Sequence, residues 1–90
     1  MSEEVSAVRL AQDLIRLNTI NPPGNEAQAI SLVGSILERV GFRVKTYEMS
    51  AQRTSLIADL PGQDNLPPLC FTGHLDTVGL GTIPWSVDPF

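Results

Sequence analysis

The chain has 90 residues, enough for one small domain. Apolar residues make up 42% and charged residues 18%, a balance that excludes an intrinsically disordered chain. A net charge of −4 disfavours nucleic acid and anionic membranes as partners, and a single cysteine, Cys70, excludes an intramolecular disulfide.

The N-terminus has no basic region followed by an apolar one, so no secretory leader is expected. No apolar run approaches the ~20 residues of a membrane span. The sequence reads as a soluble, cytoplasmic protein that takes neither nucleic acid nor membrane as partner.

Apolar spacing predicts a helix from Ser2 to Leu17. Ser2 would cap it, and Glu3 and Glu4 would complement its positive end. Val8, Ala11, Leu14 and Ile15 form its apolar face. Asn21-Pro22-Pro23-Gly24 stops it, because proline lacks an N–H and restricts the residue before it. Asn25, with Gln28 three residues on, would then cap a second helix whose buried stripe is Ile30, Val33, Ile36, Leu37 and Val40. Gly41 suits the left-handed position after that helix, with Phe42 as its apolar follow-on.

From Phe42 the period changes to two. Phe42–Met49 reads as a strand with one wet face, near an edge. A short connection compatible with a hairpin leads to a second strand, Ser55–Leu60. Pro61–Asn65 is a turn by composition. Leu69–Thr72 has no polar alternation and reads as a strand covered on both faces. Val78–Phe90 reads as loop. The expected fold class is α/β, with two N-terminal helices packed on part of a mixed, mostly central-parallel sheet. The helices cover one side of that sheet and nothing covers the other, which predicts an incomplete unit.

His74 is the only histidine, and it follows the predicted central strand. Ligands of open α/β sheets bind beyond the carboxyl ends of the strands. Asp76 stands two residues on, on the same side of an extended backbone. A carboxylate that accepts one ring N–H fixes the tautomer and strengthens the other nitrogen as a metal ligand. Gly73 leaves room for close approach. On spacing alone the pair also fits a surface ion pair or a satisfied polar corner. A catalytic zinc needs about three protein ligands, and one imidazole does not hold it.

Other residues have plain structural readings. Cys70 reads as a small core hydrophobe. Trp85, Asp88, Pro89 and Phe90 read as packing and turn residues. Glu26 reads as a carboxylate in a first helical turn. Arg43 and Lys45 read as a solvated strand face, and Arg53 as exposed.

The segments LIRLNTINPPGNE, PLCFTGHLDTV and PWSVDPF, in this order along the chain, together resemble a family of zinc hydrolases. The family contains acetylornithine deacetylases, succinyl-diaminopimelate desuccinylases, aminoacylases and carboxypeptidase-G-type enzymes. The resemblance runs from about Val8 to Phe90. It implies that residues 1–90 are the N-terminal portion of a metallohydrolase catalytic domain, an incomplete α/β/α sandwich. His74 matches the histidine that binds one ion of a dinuclear zinc or cobalt centre. Asp76 matches the active-site aspartate that orients that imidazole. Thr77 and Val78 complete the motif. Many relatives have proline where Gly79 stands, which bears on the loop and not on the ligand.

The family's remaining ligands and its general-base glutamate come later than position 90. The implied reaction is hydrolysis of the amide of a small N-acyl amino acid or dipeptide-like substrate. The implied cofactor is two zinc ions. The family's inserted dimerisation domain implies a homodimer, and the 90 residues alone are expected to be inactive. The rival readings are a non-catalytic module that self-associates through an uncovered sheet, and a phosphoesterase. Dinuclear phosphatases more often carry Asp-x-His than His-x-Asp.

Overall fold

A computed structural model of the chain describes residues 5–90. The predicted cap at Ser2 and the acidic pair Glu3 and Glu4 lie outside the described residues. Helix α1 spans Ala7–Ile15 and begins later than the periodicity suggests. Ser6 keeps an extended backbone (φ −83°, ψ 120°), and its hydroxyl accepts from the Arg9 N–H at 3.2 Å. That satisfies one of the orphan donors of the first turn. Its expected apolar face is not buried: Val8 is 70% and Ile15 52% exposed. Helix α1 does not pack extensively on either strand.

Helix α2 spans Ala27–Arg39. Asn25 is not its cap. Asn25 sits in the left-handed region (φ 51°), and Glu26 holds the cap position without a side-chain capping bond. The Ala27 N–H instead donates to the Gln52 carbonyl at 3.2 Å, so the strand connection supplies the missing acceptor. At the other end the sequence reading holds. Gly41 has φ 101°, its N–H donates to Glu38 at 3.0 Å, and the Phe42 N–H donates to Leu37 at 3.0 Å. This is the paired bonding of a Schellman turn.

Strands β1 (Arg43–Ser50) and β2 (Arg53–Asp59) form an antiparallel pair, joined through Ala51 and Gln52, with an irregularity between Glu48 and Ser50. The hairpin is the one predicted. Val44 pairs with Ala58 and Thr46 with Leu56, so these four share one face. Helix α2 packs on that face through Gly34. A Cβ at Gly34 would stand 3.1 Å from Leu56 Cδ1 and 3.5 Å from Val44 Cγ1. Arg43 and Lys45 lie on the opposite, solvated face, as predicted, with Arg43 paired to Asp59.

The buried seam of α2 is therefore made by its small residues, Ala29 and Gly34. Ile30, Val33, Ile36 and Leu37 are half-buried, and Val40 is 53% exposed. A larger side chain at Gly34 would press on Leu56 and Val44. Gly34→Leu is expected to cost about 1–3 kcal/mol by overpacking. Urea unfolding measures it, and an unchanged midpoint would mean that α2 does not lie on the hairpin this closely.

Two expectations about the sheet are corrected. Among the described residues the sheet has two strands, not three, and its pairing is antiparallel. Leu69–Thr72 pairs with no strand; Leu69 is 82% and Phe71 87% exposed, and Cys70 is exposed rather than in a core. An apolar run becomes a buried strand only where neighbours bond its backbone and cover both faces, and no described element does so here. The only parallel pairing among the described residues is an isolated bridge between Ile20 and Thr77. Trp85 and Phe90 are also less packed than expected, at 56% and 42% exposed. The radius of gyration, 15.6 Å, exceeds the roughly 12 Å of a compact chain of this length.

Candidate metal-ligand site

The Ile20–Thr77 bridge builds the site. The Thr77 N–H donates to the Thr19 carbonyl at 3.0 Å, and the Asn21 N–H to the Thr77 carbonyl at 2.8 Å. The buried Thr19 hydroxyl donates to the Leu75 carbonyl at 2.7 Å. The segment after α1 is thereby stitched to the segment that carries His74 and Asp76. These two stretches are more than fifty positions apart and meet side by side.

His74 Nδ1 lies 2.8 Å from Asp76 Oδ1 and 3.0 Å from the Asp76 backbone carbonyl. Both are acceptors, so Nδ1 is the nitrogen that carries a proton and donates. In the neutral ring the lone pair is then on Nε2, which takes no hydrogen bond from the described residues. The His74 side chain is 82% exposed, while Asp76 behind it is 29% exposed. The expected approach of the carboxylate to the imidazole is observed. Gly73 next to the ring has open space where a Cβ would be.

Asp76 is held on its other oxygen as well. The Asn21 amide donates to Oδ2 at 3.1 Å, and Arg53 Nη2 lies 3.6 Å from the same atom. The Asn21 hydrogen bond first, and the His74 ring second, hold the Asp76 carboxyl below its ordinary range. Behind Asp76 stands an ion pair that the sequence reading missed. Glu26 is buried, with 9% of its side chain exposed, and takes Arg53 Nε at 3.1 and 3.2 Å and Nη2 at 2.7 Å. Glu26 thus has a partner beyond the helix dipole, and Arg53 is half-buried rather than exposed. The Arg53 fork holds the Glu26 carboxyl below its ordinary range, and Glu26 raises the Arg53 guanidinium above its own. Gly24, at φ 105°, lets this pair lie against the backbone.

The two lowered carboxyl groups fix the sign of an acid response. A depressed folded-state pKa contributes stability above the ordinary carboxylate range, and that stability is lost as pH falls through the depressed value. The urea midpoint is expected to fall between about pH 4 and pH 2. Glu26→Gln is expected to flatten that fall; the same acid slope in wild type and variant would contradict the assignment.

An open groove of about 810 Å³ runs between Ile30 and Val33 of α2, the start of β2 and residues 71–76, with His74 and Asp76 in its lining. Among the described residues no three His, Cys, Asp or Glu side chains meet in a group that could hold a metal ion. The donor set fits one ligand of a zinc site, since a catalytic zinc takes about three from protein. Among the described residues no helix is long and apolar enough to cross a membrane.

Fold and site together define an α/β chain that presents one carboxylate-backed imidazole at the rim of an open groove. Curated proteins similar to it are succinyl-diaminopimelate desuccinylases. The one from Ehrlichia ruminantium is 33% identical over 89 residues, covering 96% of this chain and 23% of that protein. Those from Granulibacter bethesdensis and Gluconobacter oxydans are both 38% identical, over 90% and 92% of this chain and 20% and 21% of theirs. The chain thus spans about a fifth of the length of the curated relatives it matches. No family model matches the chain, and no solved structure matches it with significance.

Proposed function

We propose that residues 1–90 form the N-terminal part of a metal-dependent amidohydrolase of the desuccinylase and deacetylase family, and that His74 is one of its metal ligands. The substrate is a small N-acyl amino acid, the metal is zinc, and the protein works in the cytoplasm. The observation that carries this reading is the His74–Asp76 pair, with Nδ1 donating to the carboxylate at 2.8 Å and Nε2 without a partner among the described residues. The likeness to desuccinylases over at least nine-tenths of the chain supports the same reading.

In this reading each residue has a defined task. Asp76 holds the Nδ1 proton, so the Nε2 lone pair stays available to a metal. Thr19 and Asn21 fix the backbone and carboxylate that keep Asp76 in place. Bound zinc supplies Lewis acidity toward a carbonyl and lowers the pKa of water. The rest of the ligand set and the general base come from beyond the described residues. With one ligand, the 90 residues by themselves do not turn over substrate.

The test is an assay of the natural gene product containing these residues, on N-succinyl-diaminopimelate and N-acetylornithine, with zinc or cobalt added. Metal-dependent release of a carboxylate and an amine is the expected result. No turnover on any N-acyl amino acid would refute the reading, and appreciable turnover by residues 1–90 alone would refute the claim of incompleteness.

The second reading, a non-catalytic module that self-associates, is favoured by the exposure of Leu69 and Phe71, at 82% and 87%. Light scattering on residues 1–90 tests it: a strict monomer removes this second reading.

A further inference from the structure

The Glu26–Arg53 pair has no part in the reaction assigned above, yet it abuts Asp76. Burying a carboxylate is costly unless it is paired and hydrogen-bonded, and Glu26 meets that demand through a forked contact with Arg53. The fork leaves the guanidinium little freedom to swing. It also sets Nη2 at 3.6 Å from Asp76 Oδ2, within ion-pair distance though too long for a hydrogen bond. Asn21 occupies the same oxygen at 3.1 Å, while the other oxygen receives His74. The Asp76 carboxylate is therefore held on both sides. Gly24 makes the arrangement fit, since a Cβ there would fall 2.6 Å from Glu26 Oε1 and 2.7 Å from Arg53 Nε.

We propose that Arg53 is a positioning residue for the His74 ligand: clamped by buried Glu26, it holds the second oxygen of Asp76 and so keeps the ring in one tautomer and one orientation. The consequence for metal binding rests on the hydrolase reading; the consequence for the ring does not.

The test uses Arg53→Met and Arg53→Lys in the natural gene product. Histidine labelled with nitrogen-15 reports the ring in metal-free protein at about pH 8, where an ordinary imidazole is neutral. The His74 signals are assigned by their loss in His74→Gln. Wild type is expected to show one tautomer, with the proton on Nδ1. Arg53→Met is expected to mix the tautomers and to weaken zinc affinity about tenfold, the lower end of the range for partners behind a ligand. Arg53→Lys keeps a cation near Asp76 but loses the fork to Glu26. It is expected to keep one tautomer and zinc affinity within about threefold of wild type. Thermal melting is expected to drop in both variants, because both break the fork.

A purely structural role would make ring, affinity and melting temperature fall together in both variants, and that result overturns the proposal. So does Arg53→Met with an unchanged ring and affinity, or a wild-type ring that already samples both tautomers. If the ring responds as stated while wild type binds no zinc, the positioning role stands and the hydrolase reading falls.

Discussion

His74→Ala is expected to lower kcat/KM on an N-succinyl amino acid by at least about 10³-fold in the natural gene product, because metal stabilisation of developing charge contributes several kcal/mol. The loss should appear mainly in kcat, with part of it recovered at high zinc or cobalt. Asp76→Asn should cost less, about 10–100-fold, since it leaves Nε2 in place and disturbs only the partner behind it. The order of the two effects is as informative as their size. If Asp76→Asn were as damaging as His74→Ala, Asp76 would be touching metal or substrate itself rather than the Nδ1 proton. Metal content of the purified variants, with circular dichroism to check folding, separates lost ligation from lost structure.

Gly24→Ala is expected to be the most damaging single methyl in the chain. The residue sits at φ 105°, a conformation that L residues rarely adopt, which alone costs about 1–3 kcal/mol. The added Cβ would also lie 2.6 to 2.9 Å from atoms of Glu26 and Arg53, so the ion pair has to move. For a domain of this size each kcal/mol lowers Tm by about 4–8 °C. Gly62→Ala is the control: its Cβ would meet nothing within 4 Å, and no such strain applies. Equal melting temperatures for the two variants would show that the pair does not pack against Gly24.

What could be read from the sequence was local. The turn at Gly41 depends on residues 37–42 alone, and the glycine after an apolar stripe predicted it. The hairpin depends on two period-two runs joined by a short connection. The approach of Asp76 to His74 depends on a separation of two residues. In each case nearby chain dictates the geometry.

What was missed required distant partners. Glu26 and Arg53 are 27 positions apart, and neither residue type by itself announces burial. The helix-cap reading of Asn25 failed because a tertiary acceptor, the Gln52 carbonyl, took over the first helical N–H. The strand reading of Leu69–Thr72 failed for the converse reason: an apolar run records a demand for cover, and the described residues do not supply it. One sequence feature did point toward the hidden pair. Gly24 stands two positions before Glu26, and a glycine there leaves space for a bulky neighbour, but nothing local names that neighbour as Arg53.

The most direct measurement is a crystal structure of the zinc-loaded natural gene product, with the metal located by its anomalous scattering. A zinc ion about 2.0–2.1 Å from His74 Nε2, with Nδ1 still on Asp76, is the predicted result. Zinc bound elsewhere, bound through Nδ1, or absent from the neighbourhood of this ring would contradict it.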